Sequence, residues 1–559
     1  MRVSESRRLT GPGPLLDGPG AALEAVWDAE DPEEAIARWR VRVEEAHAAL
    51  GVTVTGWLVR RVAGGATLGF RAPWDRLLAS TEINEWAASG EALELGRLRA
   101  AVDAEADPAL RALLDEAARR GVEALVDDDA LSLGLGVHAR VWPRAALPDP
   151  AEVEWEERRR VPVALVTGTN GKSTTTRLLA RCVAASGLSV GSCTTDDIRI
   201  GGVVVERGDW TGPGAARRIL RDPAVEAAVL ETARGGLLRR GLAVSRADVA
   251  VITNVAEDHL GEWGVHDLAE LARVKGAVAS VVPPTGWVVL NAEDPHLRGL
   301  RLTGPVAWFS PTPALALAAR GVDDMAVTVR DGWIVGVGAI TGGSAETPIV
   351  ALDAVPVTWG GAARFNVENA LAAAAAALGL GVSVPHIAEG LASLHTTADD
   401  SPGRQNVAVV GGVTVLLDFG HNPHGVAALL QFAREWQPTG RRVALIGQAG
   451  DRSDDALREL ARTLVAGGVS RFVLRPMPDH LRGRELWEVP DLLDGFLRGL
   501  GVAPTDIERA GSEAESLAAA LAHSEPGDLI LAMMHVQRAE VRAFLEGRGA
   551  HWVGAPEDA

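Results

Sequence analysis

The stretch VALVTGTNGKSTTTRLLARCV, residues 163–183, decides the fold. Val163 to Thr167 is an unbroken apolar run of strand length, and the residues after Lys172 repeat apolar positions at helical spacing. Between them, Gly168 and Gly171 bound a short turn whose backbone can curl and aim its N–H groups inward. A helix beginning at Lys172 adds roughly half a positive charge at its N-terminus, so the turn is a cradle for phosphate. Lys172 stands where it meets terminal phosphates, and Ser173 or Thr174 offers a hydroxyl to Mg²⁺. The commoner six-residue form of the motif has glycine where this chain has Val166, which makes the loop a shortened variant.

Outward from this stretch the same alternation continues. SVGSCTT (189–195), EAAVLETA (226–233), VAVITNV (249–255) and WVVLNAED (287–294) read as strands separated by helices. That order predicts a doubly wound parallel sheet with functional residues at the C-terminal ends of its strands. Residues 325–360 read as a small antiparallel insert, and a second α/β unit begins near 405 with VAVVGGVTVLLDFG, VALIGQAG, RFVLRP and LILAMMH as strands. Before 155, β-like runs such as VTVTGWLVRRV mix with helical stretches such as PEEAIARWRVRVEEAHAAL, an α+β pattern without a catalytic cluster. The charged run EVEWEERRR (152–160) reads as a solvated linker or helix end. The expected division is 1–155, 156–397 and 398–559.

At 559 residues with 47% hydrophobic content, the chain is long enough for several cores. A net charge of −19 argues against a nucleic-acid or other polyanion partner, while permitting one nucleotide site. Cys182 and Cys193 are spaced for neither a zinc site nor a disulfide framework, and the N-terminal residues lack the apolar core of a secretory signal. No run reaches the roughly 18 apolar residues of a membrane span. The expectation is a cytoplasmic protein with no membrane association.

Polar groups at three further places extend the chemistry. Glu231 ends a strand beside the phosphate loop, the usual setting of a Mg²⁺ carboxylate; the other reading is an ion pair with Arg234. VITNVAEDHLG puts Asn254, Glu257, Asp258 and His259 at another strand mouth, with His259 a second metal ligand or a structural histidine. Lys275, in LARVKGAVA, reads from the sequence alone as a helical lysine like most others, solvated.

The succession GTNGKST, LETARGG, TNVAEDHLG, VKGAV, LNAED, RFNVENALAA, SPGRQN and LLDFGHNP, from about 160 to 545, resembles the ATP-dependent Mur ligase family, and within it the Mur-type half of the cyanophycin synthetases. RRLTGPGPLL and ASTEINEWA (79–87) resemble the leading domain of those synthetases, and residues 115–143 resemble the sequence flanking their ATP-grasp domain, which is missing here. The resemblance implies a three-domain Mur-ligase-like architecture: an N-terminal α+β domain, a central P-loop domain and a C-terminal Rossmann-like α/β domain. It implies that Gly168, Thr169, Asn170, Gly171, Lys172, Ser173 and Thr174 hold the phosphates of ATP, and that Ser173, Glu231 and His259 bind Mg²⁺. It implies a carbamylated Lys275 as a further metal ligand, Asn366 and Asn369 at the adenine end, and Arg404 and Asp418 completing the nucleotide site. His421 and Asn422 follow in the same loop as Asp418, and AGDRSDD (449–455) and PDHLRGRE (478–485) are expected to border an incoming amine.

The activity so implied is amide-bond formation: a carboxylate is activated by ATP as an acyl phosphate and an amino acid's amine displaces phosphate. Lys172, Glu231, His259 and Lys275 are the expected catalytic residues. A closing C-terminal domain would make residues 395–403 a sensitive hinge. The expected partners are a carboxylate acceptor, an acidic peptide in the fullest form of the reading, and an amino acid. The resemblance leaves room for a homo-oligomer and for a separately encoded ATP-grasp ligase. Two other classes stay open, a P-loop ATPase coupled to motion or transport and a nucleotide-binding interaction protein that has lost ligase chemistry.

Overall fold

The computed structural model describes residues 1–27, 30–62, 64–258, 260–338, 343–397, 400–437 and 439–554, with only the backbone at 343–345. At its centre Val163–Thr167, every residue buried, pairs in parallel with Ala227–Glu231 on one side and Val249–Ile252 on the other. Burial on both faces explains why this strand is continuously apolar rather than alternating. The sheet continues in parallel through Val190–Cys193 at one side, and through Trp287–Asn291, Val306–Ser310 and Met325–Arg330 at the other. Antiparallel strands finish both edges, making eleven strands among the described residues.

The expected antiparallel insert over 325–360 is corrected here. Its strands are antiparallel to one another, but Met325–Arg330 pairs in parallel with Val306–Ser310, so they extend the central sheet instead of forming a separate unit. Sequence spacing registers a hairpin; it does not register which older edge the hairpin joins.

Helices cover both faces. Lys172–Ala185 lies against Arg364–Gly379, whose alanines 370 and 372–377 are fully buried. A helix that is small-sided all round can sit between a sheet and other helices at close range. On the opposite face, Leu9, Leu15 and Leu16 share a core with Leu237 and Leu242. RRLTGPGPLL therefore acts as a strap: Thr10 N–H donates to Arg240 O at 2.7 Å and Leu242 N–H to Pro12 O at 2.7 Å.

The N-terminal region holds a four-stranded antiparallel sheet ordered Arg2–Leu9, Gly20–Val26, Gly65–Arg71 and Thr55–Val62, with Pro32–Ala49 and Leu77–Ser89 as its helices. A small three-stranded sheet over Ala124–Pro143 follows. The linker 152–160 is less solvated than its charge suggests, because Trp155 is buried and Arg160 pairs with Glu123 at 2.6 Å. The C-terminal sheet has seven strands among the described residues, with Leu529–Met533 between Arg442–Ile446 and Val413–Asp418 and a core on each face. Trp359 joins that core from the central unit, 5.6 Å from Phe432 and 5.2 Å from Trp436. No helix among the described residues is long and apolar enough to cross a membrane.

Candidate active site

Because the central strands run in parallel, their C-terminal ends converge on one rim, and the phosphate loop sits there. Thr169 and Asn170 donate their N–H groups to the carbonyl and side-chain oxygens of Asn254, both at 2.9 Å, so the neighbouring strand end fixes the loop. Gly171 has φ 82°, and a Cβ there would lie 2.1 Å from Asn369 Oδ1, which excludes a side chain. Lys172 Nζ curls back onto Thr169 O at 2.8 Å. Ser173 Oγ lies 3.0 Å from Thr195 Oγ1, which donates to Glu231 Oε1 at 3.1 Å. Arg234 pairs with Glu262 at 2.6 Å, which leaves the alternative of a Glu231–Arg234 ion pair without support. Burial pushes the Glu231 carboxyl up, opposed by the charges of Lys172 and Arg404.

These groups suit Mg²⁺ with a nucleotide. Among the described residues no three His, Cys, Asp or Glu converge as an all-protein metal cage. Mg²⁺ is commonly held instead by one or two carboxylates with phosphate and water, and the Ser173–Thr195–Glu231 chain beside the loop offers hard oxygens of that kind. His259, expected as a metal ligand and catalytic residue, lies outside the described residues. Lys275 is buried, and its Nζ donates to Gly168 O at 2.7 Å. Burial, then the charge of Lys172, pushes its ammonium well below the ordinary lysine range, against the pull of Asp258.

The C-terminal unit closes the other side of a cleft of about 1050 Å³ that Thr174, Asn366 and Asn369 also line. Asn369 Nδ2 donates to Asn366 Oδ1 at 2.9 Å, and Asn366 Nδ2 to Gln405 Oε1 at 2.6 Å. Arg404 stacks over Phe419 at 4.7 Å and reaches Ser173 Oγ at 3.4 Å. Asp418 accepts the N–H groups of Gln405 and Gly420 at 2.9 and 2.8 Å, while burial raises its carboxyl against the pull of Arg404. Asp258, from the central unit, meets Arg452 at 2.5 Å and His421 at 3.5 Å from the C-terminal unit. Burial lowers the His421 imidazole against the pull of Asp258, favouring the neutral form.

Two interdomain contacts escaped the sequence reading. Asn170 and Asn422 exchange amide hydrogen bonds at 3.2 and 3.0 Å, joining the phosphate loop to the N-terminus of helix Pro423–Trp436. Asp196, in the turn between strand Val190–Cys193 and strand Asp197–Ile200, takes Arg177 at 2.9 Å, Arg538 at 2.6 Å and Arg404 at 3.8 Å. Burial opposes its charge, but the guanidiniums of Arg404, Arg177 and Arg538 hold the carboxyl below its ordinary value. The strand-end rule that singled out Glu231 reaches Asp196 as well; Arg538, 342 residues further on, has no local signal. Of the segments expected near an amine, Ala449, Asp451, Arg452, His480 and Arg482 line the cleft. In the predicted hinge, residues 398 and 399 lie outside the described residues, and Asn406 Nδ2 ties the flanking carbonyls of Thr396 and Ser401 at 2.8 and 3.0 Å.

The Mur ligase middle-domain profile matches residues 166–377, and the Mur ligase glutamate ligase domain profile matches 403–533, together more than half of the chain. This chain belongs to the Mur ligase family. Its members are ATP-dependent carboxylate–amine ligases. It is similar to cyanophycin synthetase of Crocosphaera subtropica, 40% identical over 381 residues that cover 67% of this chain and 42% of that one. The chain thus spans about two fifths of the length of that relative. It is also similar to UDP-N-acetylmuramoyl-L-alanyl-D-glutamate–2,6-diaminopimelate ligase of Geobacter metallireducens, at 28% identity over 66% of this chain and 73% of the other. Among solved structures, FolC of E. coli in complex with ADP overlaps 69% of this chain and 90% of its own with a TM-score of 0.49 and 21% identity.

Proposed function

We propose that this chain joins the amine of an amino acid to a substrate carboxylate through an acyl phosphate, with ADP and phosphate as products. The observation that carries the reading is one cleft lined by Lys172, Glu231 and Lys275 from the central unit and by Arg404, Asp418 and His421 from the C-terminal unit. A carboxylate oxygen attacks the γ-phosphorus of ATP, the bond to the bridging oxygen breaks, and ADP leaves with the electron pair. Lys172 and the N–H groups at the start of helix Lys172–Ala185 stabilise the charge spreading over the transferred phosphoryl, while the N–H groups of Thr169 and Asn170 are taken up by Asn254. Mg²⁺, for which Ser173, Glu231 and His259 are the proposed ligands, supplies Lewis-acid neutralisation of phosphate charge. Lys275 completes that set as a carbamate: its neutral amine adds CO₂, loses a proton and gains two hard oxygens, and burial favours the neutral amine the addition requires.

The amine nitrogen then attacks the acyl carbon, and the tetrahedral intermediate collapses with loss of phosphate and a proton. Burial keeps His421 in the form that accepts a proton. The Asn170–Asn422 and Asp196–Arg538 contacts hold the C-terminal unit over the loop and keep water from the acyl phosphate. The acceptor we propose is an acidic peptide made by another ligase of the ATP-grasp type, and the incoming amine a basic amino acid; similarity to cyanophycin synthetase supports this choice. The setting is cytoplasmic, with homo-oligomers compatible with it.

The test crosses amino acids with short acidic peptides in the presence of ATP and Mg²⁺, reading phosphate release and product mass. Release that depends on both substrates, with one water lost per amide in the product mass, is expected. ATP turnover without either substrate would instead indicate an ATPase. Polymer formed from free aspartate and arginine alone would refute the need for a ready-made acceptor.

A further inference from the structure

A second cavity, of about 530 Å³, lies in the N-terminal region far from the phosphate loop in sequence, outside the residues matched by the family profiles. Its size falls in the range of small-ligand sites. The wall is apolar where Ile83, Leu110 and Leu114 face it. Among the polar side chains of that wall, which include the carboxylates of Asp75 and Asp115, three present an atom without a protein partner among the described residues: His47, Ser80 and Arg76.

His47 is 7% exposed, and its Nδ1 lies 2.8 Å from Val43 O. A carbonyl only accepts, so Nδ1 carries the proton and Nε2 is left as an acceptor with no protein donor. Ser80, 4% exposed, lines the same cavity with a hydroxyl that makes no hydrogen bond among the described residues. Arg76, four residues earlier, is partly buried on the cavity wall; its guanidinium makes no ion pair among the described residues and its Nε is buried without a partner. Burial first, and the nearby charge of Arg76 in addition, keep His47 neutral. The neighbouring Arg111 differs, because its charge is met by Asp75 at 2.6 Å.

A guanidinium without a counter-ion, held in part out of water, is unfavourable unless an anion visits it. We propose that this cavity binds a small organic carboxylate that has an apolar body and an N–H or O–H donor. The carboxylate meets Arg76, the donor meets His47 Nε2, and the body lies against Ile83, Leu110 and Leu114. Ser80 supplies a second hydrogen bond to the carboxylate. The site is independent of the ligase cleft, so its occupancy survives loss of ATP binding.

Hippurate is a suitable probe, since it carries a carboxylate, an amide N–H and a ring; its uncharged analogue hippuramide and bare acetate separate the contributions. Calorimetric titration of the full chain is expected to show hippurate binding at least about tenfold more tightly than either control, a difference near 1.4 kcal/mol. Arg76→Met should erase the gap between hippurate and hippuramide, Arg76→Lys should keep part of it, and His47→Phe should weaken both ligands alike. Lys172→Ala should leave all three affinities unchanged. Equal binding of hippurate and hippuramide, no binding of hippurate at millimolar concentration, or wild-type affinity in Arg76→Met would each overturn the proposal. Circular dichroism of each variant separates a lost contact from a lost fold.

Discussion

Lys172 touches the loop carbonyl of Thr169 and sits only partly buried, so removing it deletes charge and little packing. Lys172→Ala is expected to lower ATP turnover by about 10²- to 10³-fold, the scale of losing one charge-stabilising donor, while circular dichroism stays unchanged. Wild-type phosphate release in that variant would remove the loop from the mechanism. Lys275→Ala should also lose ligase activity, and short carboxylates added to the assay should restore part of it by standing in for the carbamate oxygens. No recovery with acetate or formate would count against carbamylation. Glu368, on the cleft wall, gives a pH prediction: burial, and then the charge of Glu293, pushes its carboxyl up from 4.5 to about 7, against Arg364 and Asn291. A raised folded-state value means that the favourable contribution is complete below the unfolded value and lost as pH rises through the folded one. Glu368→Gln should therefore match wild type near pH 4 and exceed it by about 1–2 kcal/mol near pH 8 in denaturant titrations, the shift being discounted for partial exposure. An equal difference at both pH values would contradict the burial argument.

At the level of elements, the loop between Val249–Ile252 and helix Leu268–Gly276 is held from outside its own domain. Trp263 has φ 55°, a conformation that costs of order 1–3 kcal/mol in a non-glycine residue and persists only where neighbours impose it. Arg60 donates to Trp263 O at 3.2 Å and also to Gly264 O, and Arg7 lies over the Trp263 ring at 4.6 Å. The N-terminal sheet thereby steadies the loop that carries Asp258 and Glu262 on the cleft wall. Arg60→Ala is expected to reduce kcat about tenfold, as small displacements near a reacting centre do, with unfolding free energy changed by about 1 kcal/mol or less. Unaltered kinetics would make this contact one of packing alone.

Across the whole molecule, the cleft exists because two sheets meet along their C-terminal rims. Asn422 allows one half of that meeting to be perturbed: its Oδ1 accepts from Gly425 N–H at 2.9 Å, capping helix Pro423–Trp436, and from Asn170 Nδ2 at 3.2 Å, while its Nδ2 donates to Asn170 Oδ1 at 3.0 Å. Asn422→Asp keeps the capping acceptor and replaces the interdomain donor with an oxygen that faces another oxygen. Small-angle scattering should then report a larger radius of gyration, and the KM for ATP should rise severalfold, with the melting temperature of the C-terminal unit preserved. A radius and KM equal to wild type would place the force for closure elsewhere, with Asp196 and its three arginines the next pair of surfaces to separate.

The sequence by itself determined the central strand, the turn and the helix over residues 163–183, because apolar period, glycine freedom and helix polarity are local properties. It also determined that Glu231 and Asn254 end strands, and the parallel order then brought both to the loop. Arg404, Asp418, Asn366 and Asn369 were legible only through likeness to a family, since nothing in their neighbours distinguishes them from ordinary helix and strand termini. Tertiary structure alone decided that Asp196 faces Arg538, that Asn170 meets Asn422, and that a strap near the N-terminus and Arg60 hold elements of the central unit. Such contacts depend on how rigid units pack across hundreds of residues of chain, and side-chain partners at that separation leave no periodicity, spacing or turn signal in the sequence.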